Sequence, residues 1–386
     1  MRTPRTYHRP LVVRILVLVT RYPRPHAKGD ALRAFSWISD LSMRHDVHVV
    51  TAQSRPAPDD QLPVTVEVTS VAVGRLGRAW SALAGGIRGA PLQVGWMMPQ
   101  PVWRAALLAM QDADVVLAMT TRSLRGPPSR PLVIDHVDAL SLNMERRARG
   151  DENRVVRAFA RLEAARFRSW ERRCARWSAA ALATSAEDAG VLPLRPAVEV
   201  IPVGLDVIDD AWATGQDRPI DVVLSGNMRY PPNRFAALML EREITPAVRA
   251  RVPGVRIVVA GRDADTLGLV EVEVMSDVHD MLGVLRQAKI AIAPLELGTG
   301  SPYKVLEAAA CGAAIVSSPW AAARFELAAL TAADPAGYVD AICLLLADAG
   351  RRTALVAECQ GAVRRHSTRE LARRVERLLQ VAATDG

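Results

Sequence analysis

The sequence is poor in lysine, in aromatic residues and in paired cysteines. Only three of its 49 basic residues are lysines, namely Lys28, Lys289 and Lys304. The four cysteines show no CxxC spacing, which argues against a disulfide framework and a zinc site and favours a reducing compartment. Aromatic residues make up 5% of the chain while aliphatic residues abound, a balance that favours stacked α/β layers over a β-sandwich.

Long hydrophobic runs are also absent. The apolar run Leu11–Val19 follows Arg2 and Arg5 and so imitates a secretory signal, but Arg14 interrupts it and no small-residue cleavage site follows. A buried parallel strand is the favoured interpretation. No stretch reaches the roughly 20 apolar residues that span a bilayer. A cytoplasmic location is therefore expected.

Several nucleotide-binding signatures are missing. No GxGxxG follows Val19 or Ser225, which argues against a nicotinamide oxidoreductase, and no GxxxxGK[ST] occurs, which argues against a P-loop NTPase. The net charge of +8 could attract nucleic acid, anionic lipid or phosphorylated ligands. No nucleic-acid-binding module accompanies that charge, so a nucleic-acid partner is not expected.

The 386 residues are enough for two domains, and short β-branched runs alternate with helical patterns along the whole chain. This alternation predicts βαβ units with parallel sheets. In the first half it predicts strands at Val12–Val19, Asp46–Thr51, Val66–Val73, Asp114–Met119, Leu132–Val137 and Ala181–Thr184. It also predicts helices at Asp30–Arg44 and Glu152–Trp177.

The pattern breaks at Val198–Pro219, which indicates a connection between domains. A second series follows, with strands predicted at Asp221–Ser225, Arg256–Ala260, Val272–Met275, Lys289–Pro294 and Ala313–Ser317. Helices are predicted at Asn233–Arg251 and Pro302–Cys311, and the tail is expected to be mostly helical from Asp334, a good N-cap before Pro335. Ligands of such open sheets bind beyond the carboxyl ends of the strands.

The most informative segment, Ala293–Glu307, leads from a strand through a Gly-rich loop into a helix. Ser301 is a good N-cap, Pro302 suits the first turn, and Gly312 supplies a stop. Free backbone N–H groups at such a helix start form an anion site.

Two charged residues on that helix extend the anion site. Lys304 adds a charge where a diphosphate would lie, and Glu307, at i+3, can accept hydrogen bonds from ribose hydroxyls. The alternative is a surface ion pair between Lys304 and Glu307.

Gly298–Gly312, with its Lys304–Ala308 core, closely resembles the donor-binding helix of GT-B glycosyltransferases of family 4, in the branch associated with exopolysaccharide production. Further segments are similar to that family over nearly the whole chain. They are Ile201–Asp206, Leu224–Asn233 and Val255–Arg262 toward the C-terminus, and Tyr22–Gly29 with Arg33 and Ile134–Ser141 toward the N-terminus.

This resemblance implies two Rossmann-like domains that face each other across a cleft, with a C-terminal helix packing back on the N-domain. The implied division is an extension at 1–10, an acceptor-binding domain at 11–205, a nucleotide-sugar-binding domain at 206–365, and a C-terminal helix and tail at 366–386. The implied activity is transfer of a sugar from a nucleotide-diphosphate-sugar to a saccharide, lipid-linked or small-molecule acceptor. The family retains the anomeric configuration and needs neither divalent metal nor cofactor.

The resemblance also implies the site. Lys304 and Arg229 would stabilise the leaving diphosphate together with amides of Gly300 and Ser301, because fixed cations and helix N-termini stabilise developing negative charge. The expected donor-binding residues are Gly29, Gly226, Asn227, Arg262, Thr299, Gly300, Ser301, Lys304 and Glu307. The chain departs from the family at Thr299, where an earlier glutamate is usual, and at the usual Arg-and-Lys pair, for which Arg229 and Arg234 would have to serve.

On the acceptor side, Gly29 lies just after the first strand, where backbone must approach the donor closely; an ordinary loop glycine is the alternative. Asp138 lies just past a strand end and is the candidate to orient an acceptor hydroxyl, with helix capping as the alternative. His136 is less attractive because it falls within the predicted strand.

Two acidic motifs could be mistaken for metal sites. Asp112-Ala113-Asp114 precedes a strand and Asp263-Ala264-Asp265 follows one, so solvated turn acids are the favoured interpretation.

The arginine-rich helix at Glu152–Trp177 allows two interpretations. It is either a solvated helix with ion pairs such as Glu171 with Arg168, which is favoured, or a basic face that makes peripheral contact with an anionic membrane at the inner face of the cell membrane.

Two other functions stay open. A nucleotide-sugar epimerase or hydrolase of the same fold would consume the donor without an acceptor, so nucleotide release separates it from a transferase. A non-catalytic sensor would bind nucleotide-sugar through Lys304 and Glu307 without turnover, and Thr299 keeps that alternative open.

Overall fold

The computed structural model describes residues 12–24, 30–52, 62–150, 153–193, 195–202, 204–205, 212, 217–295, 303–323 and 325–385. The chain divides into two compact units. The N-terminal unit consists of Met1–Gly204 together with Thr368–Gly386, and the C-terminal unit consists of Leu205–Ser367. Both units are built from parallel strands and helices, as the α/β prediction requires.

A parallel sheet forms the centre of the N-terminal unit. Its strands are β1 (Arg14–Val19), β2 (Asp46–Thr51), β3 (Glu67–Ser70), β4 (Val115–Met119), β5 (Leu132–Asp135), β6 (Ala180–Ala183) and β7 (Val198–Val200). Their spatial order is β3-β2-β1-β4-β5-β6-β7, and every neighbouring pair is parallel. Ile15 of β1 pairs with Val47 on one side and with Val115 on the other.

Helices cover both faces of this sheet. They are α1 (Asp30–Leu41), α2 (Arg75–Ile87), α3 (Leu92–Met97), α4 (Gln100–Ala109), α5 (Leu140–Gly150), α6 (Arg154–Trp177) and α7 (Ala186–Val191). Side chains of β1 alternate between the two apolar layers: Ile15 and Val17 lie in one, and Leu16 and Leu18 lie in the other. A strand buried on both faces reads as a continuous apolar run, which is why the sequence identified it.

The C-terminal unit repeats this arrangement. Its strands are β8 (Ile220–Ser225), β9 (Ile257–Gly261), β10 (Glu273–Ser276), β11 (Ala288–Ala293), β12 (Ala314–Ser317) and β13 (Leu330–Thr331), in the parallel order β10-β9-β8-β11-β12-β13. Its helices are α8 (Pro231–Met239), α9 (Thr245–Arg251), α10 (Met281–Arg286), α11 (Tyr303–Ala310), α12 (Pro319–Ala323), α13 (Pro335–Ala347) and α14 (Ala349–Arg365). Asp334 caps α13 by accepting a 2.8 Å hydrogen bond from the backbone N–H of Gly337, as predicted.

The last helix, α15 (Thr368–Asp385), packs on the N-terminal unit, as expected. Its residues Leu371, Val375 and Leu379 lie in the same apolar layer as β1. Glu376 accepts hydrogen bonds from Nη2 of Arg44 and pairs with Nε2 of His45, each at 2.9 Å. The helix therefore completes the core of a domain that begins more than 300 positions earlier in the chain.

The sequence patterns missed or misplaced several features. Elements that were not anticipated are the helices α2, α3, α4, α5, α7, α10 and α12 and the strand β13. The predicted connection Val198–Pro219 begins with β7, which belongs to the sheet. The helix predicted at Asn233–Arg251 contains a π-helical turn at Leu240–Ile244. Pro246, which has no N–H to donate, explains the change of hydrogen-bond register.

A further difference concerns His136, which follows β5 instead of lying within it. In the described part of the chain, no helix combines the length and apolar character that crossing a bilayer requires.

Candidate functional site

The strand order creates one topological switch point in each sheet. In the C-terminal unit it lies between β8 and β11. The chain continues from β8 to β9 and from β11 to β12, which lie in opposite directions along the sheet. Ligands of open α/β sheets bind at the carboxyl ends of the strands at this position. Gly226 and Asn227 follow β8, and α11 follows β11. The loop 296–302, with the candidates Thr299, Gly300 and Ser301, lies outside the described residues, as does Gly29.

Two glycines allow close backbone approach at this edge. Gly226 has φ of 154° and Gly261, at the end of β9, has φ of 141°. A Cβ on Gly261 would lie 1.8 Å from the carbonyl oxygen of Gly226, and a Cβ on Gly226 would lie 2.7 Å from Nδ2 of Asn233. Only glycine fits at both positions, because φ is unfavourable for other residues and no space remains for a side chain.

A hydrogen-bond chain links the loop after β8 to α11. Asn233, at the start of α8, donates from Nδ2 to the carbonyl oxygen of Asn227 at 3.0 Å. Its Oδ1 accepts a 2.9 Å hydrogen bond from Nζ of Lys304. Oδ1 of Asn227 in turn accepts from the backbone N–H of Arg229 at 3.0 Å. The side chain of Lys304 is thereby aimed across the switch point.

Lys304 has no carboxylate partner among the described residues. Its half-buried ammonium group is held by a neutral amide, and burial lowers its pKa to about 8. A cation that gives up water without meeting an anion is costly, so a site of this kind favours an anionic ligand. Glu307, also half-buried, lies one turn further along the same helix.

The C-terminal end of α11 is as predicted. Gly312 has φ of 75°, and the backbone N–H groups of Gly312 and Ala313 bond the carbonyl oxygens of Ala309 and Ala308. This αL stop fixes where the helix ends and hence the turn on which Lys304 and Glu307 lie.

The two arginine candidates lie on the loops after β8 and β9. Arg229 is exposed and pairs with Asp263, with 2.7 Å between its Nε and Oδ2 of the carboxylate. Arg262 has an exposed side chain, and its carbonyl oxygen accepts a 2.9 Å hydrogen bond from the N–H of Met228. Arg234, the other candidate for the family's cationic pair, lies exposed on α8 beside Asn233.

Each acidic motif contains at least one carboxylate that contacts another side chain. Asp114 binds Arg14 through a 2.6 Å ion pair, which lowers the pKa of its carboxyl group. Asp263 binds Arg229, and Asp265 accepts a 2.6 Å hydrogen bond from Oγ of Ser276.

The switch point of the N-terminal unit lies between β1 and β4 and is lined by polar groups that lack described partners. Thr20 follows β1, and Thr120 and Thr121 follow β4; all three are at most 3% exposed. Their hydroxyl groups find no hydrogen-bond partner among the described residues. Thr120 also has φ of 65°, a strained conformation for a β-branched residue. Buried hydroxyl groups without partners are uncommon in folded proteins and point to a polar ligand.

Arg122 adds a cation beside these hydroxyl groups. Burial lowers the pKa of its guanidinium group, and its Nε finds no hydrogen-bond partner in the described ranges. Its one hydrogen bond given by the structure runs from Nη1 to Oε1 of Gln93, at 3.4 Å. The sequence patterns gave no reason to select Arg122 or the three threonines.

Asp138 lies on the next loop of the same edge, after β5. The preceding residue, Val137, has φ of 62°, and its N–H bonds Oδ1 of Asp135 at 3.0 Å. Burial raises the pKa of the Asp138 carboxyl group, and the charge of Asp188 raises it further. Weak hydrogen bonds from Asn143 and Thr184, at 3.4 and 3.5 Å, oppose that rise. The carboxylate is therefore more basic than an ordinary aspartate.

A buried ion pair anchors this loop. Nε of Arg33 lies 2.6 Å from Oδ2 of Asp135, and both side chains are at most 1% exposed. Nε1 of Trp37 donates to the same oxygen at 3.0 Å. His136 is fully buried, and burial lowers its pKa to about 4, so it is neutral near pH 7 and acts as a packing residue.

Comparison with known proteins agrees with this architecture. Residues 219–348 match the family model for glycosyl transferases group 1. The comparison with curated protein sequences gives no match.

Solved structures extend the structural similarity to nearly the whole chain. The HepE protein of Anabaena, solved in complex with UDP and glucose, superposes with a TM-score of 0.59 at 15% identity, covering 95% of this chain and 99% of that one. WaaG, a glycosyltransferase involved in lipopolysaccharide biosynthesis, gives a TM-score of 0.57 at 13% identity, with 95% and 99% covered. An α,α-trehalose 6-phosphate synthase from Burkholderia multivorans gives 0.56 at 14% identity, with 97% and 100% covered.

The fold and the switch-point sites define a two-unit α/β protein of the GT-B class. Residues 219–348 of its C-terminal unit form a domain of the glycosyl transferases group 1 family. The family prediction made from Gly298–Gly312 is thereby confirmed, although the exopolysaccharide branch stays a prediction.

Proposed function

We propose that this protein transfers a sugar from a nucleotide-diphosphate-sugar bound by the C-terminal unit to an acceptor bound by the N-terminal unit. The observation that carries the proposal is Lys304: a half-buried ammonium group without a described carboxylate partner, at the switch point and in the first turn of α11. The diphosphate supplies the anion that this group lacks.

Each candidate residue of the C-terminal unit has its own role in this reaction. Lys304 binds the diphosphate and stabilises the negative charge that develops on it as the glycosidic bond breaks. Arg229, oriented by Asp263, adds a second cation at the rim of the site. Glu307 accepts hydrogen bonds from the ribose hydroxyl groups. Gly226, Asn227 and Arg262 surround the donor, together with the loop that contains Thr299, Gly300 and Ser301.

The acceptor binds at the carboxyl edge of the N-terminal sheet. Asp138 orients the acceptor hydroxyl group, and its raised pKa makes it a better proton acceptor than an ordinary aspartate. Arg122 and the hydroxyl groups of Thr20, Thr120 and Thr121 offer further polar contacts. The acceptor is a saccharide, a lipid-linked sugar or a small molecule.

The finer features of the reaction follow the family resemblance. Transfer retains the anomeric configuration and proceeds without a divalent metal or a cofactor. The protein works in the cytoplasm, in keeping with its four free cysteines. It binds the surface of an anionic membrane as a peripheral protein. NMR of the product anomer tests retention, and activity in excess EDTA tests the metal requirement.

A thermal-shift screen of nucleoside diphosphates and nucleotide-sugars tests donor binding. We expect one nucleoside diphosphate to raise the melting temperature of the wild type, and Lys304→Ala and Glu307→Gln to reduce that shift. Lys289→Ala is the matched control. Lys289 lies at the amino ends of the strands of the same sheet, away from the proposed site, and its Nζ is 2.7 Å from Oδ1 of Asp221. The proposal fails if Lys304→Ala and Lys289→Ala retain the same shift as the wild type.

Turnover separates the remaining alternatives. Release of nucleoside diphosphate that depends on an acceptor identifies a transferase. Acceptor-independent release identifies a hydrolase, and conversion of the donor sugar identifies an epimerase. Binding without turnover across many acceptors identifies a sensor.

A further inference from the structure

Helix α2 exposes its large apolar side chains to solvent, the reverse of an ordinary surface helix. Its most apolar side chains point to solvent: Leu76 is 87% exposed, Trp80 is 73% exposed, Leu83 is 53% exposed and Ile87 is 80% exposed. Their spacing of four, three and four residues places them on one stripe of the helix. A soluble helix normally turns such a stripe toward the core.

The inner face of α2 is small and polar, and it is firmly held. Arg78 donates to the carbonyl oxygens of Val73, Ala52 and Trp96. Oγ of Ser81 accepts from Nη1 of Arg125 at 2.7 Å. These bonds, together with close packing on α3, fix the orientation of the helix, so the exposure of the apolar stripe is built into the fold.

The packing on α3 is tight enough to require glycine there. A Cβ on Gly95 would lie 2.4 Å from the carbonyl oxygen of Ser81. The two helices therefore touch backbone to backbone, and α2 cannot rotate to bury its apolar face.

A cavity of about 230 Å³ opens beside the C-terminal end of α2, and it is positively charged. Three of its lining residues are Arg88, Arg125 and Arg173, and the lining includes no aspartate or glutamate. Among the described residues none forms an ion pair with these three arginines, and Nη1 of Arg125 donates to Oγ of Ser81 and to the carbonyl oxygen of Met98. Trp103 and Trp170 supply apolar walls. Guanidinium groups that line one cavity without carboxylates are suited to a phosphate group.

The surrounding sequence carries the same charge bias. From Val68 to Gln111 there is no aspartate or glutamate, while Arg75, Arg78, Arg88 and Arg104 fall within that stretch. Apolar stripes with a tryptophan and flanking arginines lie in the headgroup layer of anionic bilayers.

We infer that the α2 surface, defined as Leu76, Trp80, Leu83 and Ile87 with the cavity of Arg88, Arg125 and Arg173, docks on an anionic phospholipid bilayer. The apolar stripe enters the headgroup layer, and a lipid phosphate occupies the cavity. This inference rests on the peripheral membrane contact proposed above and assigns that contact to a surface. The surface is on α2, whereas the sequence offered the arginine-rich α6 as the membrane-binding face.

Vesicle sedimentation tests the inference with the full chain and no nucleotide present. We expect binding to vesicles of 70% phosphatidylcholine and 30% phosphatidylglycerol, weak binding to pure phosphatidylcholine, and a loss of binding as salt rises. Leu76→Ser/Ile87→Ser should lower the partition coefficient at least about tenfold, because two exposed aliphatic side chains no longer leave water. The matched control is Val270→Ser/Val381→Ser, which alters residues 86% and 57% exposed elsewhere.

The cavity is tested by charge removal. Arg88→Gln/Arg173→Gln should weaken binding to anionic vesicles more than Arg242→Gln/Arg369→Gln, which removes the same charge elsewhere. Brominated lipids should quench tryptophan emission in the wild type and less in Trp80→Phe.

Three results would overturn the inference. The first is equal vesicle binding by wild type and Leu76→Ser/Ile87→Ser. The second is a dimer in solution that this variant dissociates, without vesicle binding, since the stripe is then an interface between copies. The third is binding of inorganic phosphate in the cavity without vesicle binding. Because the thermal shift by nucleoside diphosphate should be unchanged in all these variants, failure here is distinguishable from failure of the proposed function.

Discussion

Nζ of Lys304 donates a 2.9 Å hydrogen bond to Oδ1 of Asn233, so the cation is positioned by a neutral amide. An amide orients the ammonium group without neutralising it. A carboxylate at the same place would orient it equally well but would compete with a bound diphosphate. The choice of residue at 233 therefore determines whether the charge of Lys304 is available to a ligand.

Asn233→Asp tests that conclusion. The new carboxylate should pair with Lys304, raise its pKa, and weaken binding of the nucleoside diphosphate at least about tenfold, which corresponds to about 1.4 kcal/mol. Asn233→Ala removes the positioning hydrogen bond but adds no charge, so it should weaken binding less. Isothermal titration calorimetry gives both constants. Equal losses in the two variants would contradict an electrostatic role for the amide.

The affinity for nucleoside diphosphate should depend on pH through Lys304. Burial lowers the pKa of this lysine to about 8, so the ammonium group loses its proton as the pH rises through that value. Affinity should fall by about tenfold between pH 7 and pH 9, because the charged fraction of the free site falls by about that factor. Lys304→Arg is the control, since guanidinium stays charged over this range. A parallel decline in the arginine variant would assign the effect to another group.

Gly261→Ala should destabilise the C-terminal unit strongly. The added Cβ would meet the carbonyl oxygen of Gly226 at 1.8 Å, and backbone can yield only by separating the two loops. We expect a loss of about 3 kcal/mol or more in the free energy of unfolding by urea. Gly254→Ala is the matched control: its φ of 80° is also unfavourable, but nothing lies within 4 Å of the new atom. That control should lose only about 1 kcal/mol.

The buried pair of Arg33 and Asp135 should matter far more to stability than an exposed pair. Asp135→Ala leaves the guanidinium group of Arg33 buried without a counter-charge and removes the acceptor of Trp37 Nε1. The expected cost is about 3–5 kcal/mol in the free energy of unfolding. Glu273→Ala breaks the half-exposed pair with Arg256 and should cost less than about 1 kcal/mol. Similar values for the two variants would mean that burial does not set the strength of the pair.

Asp138→Asn should slow transfer while leaving the donor site intact. Loss of a proton acceptor typically lowers kcat by about 100-fold or more. The affinity for nucleoside diphosphate should not change, because Asp138 belongs to the N-terminal unit. In the wild type, kcat should fall on acidification at a pH above the ordinary range for aspartate, since its pKa is raised. Unchanged kcat in Asp138→Asn would limit this residue to capping or packing.

Much of the fold followed from local patterns. The strand Asp46–Thr51 has the predicted bounds, and β8, β9 and β11 begin or end within one residue of prediction. These strands are buried on both faces, so their apolar runs are continuous and turn residues bound them. The helices α2, α3 and α4 were missed because some of their apolar residues face solvent. The spacing of apolar residues along the sequence then no longer marks the buried face of the helix.

The sequence alone determined the alternation of strands and helices and, at Lys304 and Glu307, the candidate anion-binding helix, because these depend on neighbours a few residues apart. Only the tertiary structure brought Asn233 to Lys304, 71 positions away. It also set the hydroxyl groups of Thr20 and Thr120, which have no hydrogen-bond partner among the described residues, just beyond the ends of two adjacent strands. It also decided which face of α2 meets solvent. Such relationships arise when separate elements pack, and no local pattern encodes which partner each face will meet.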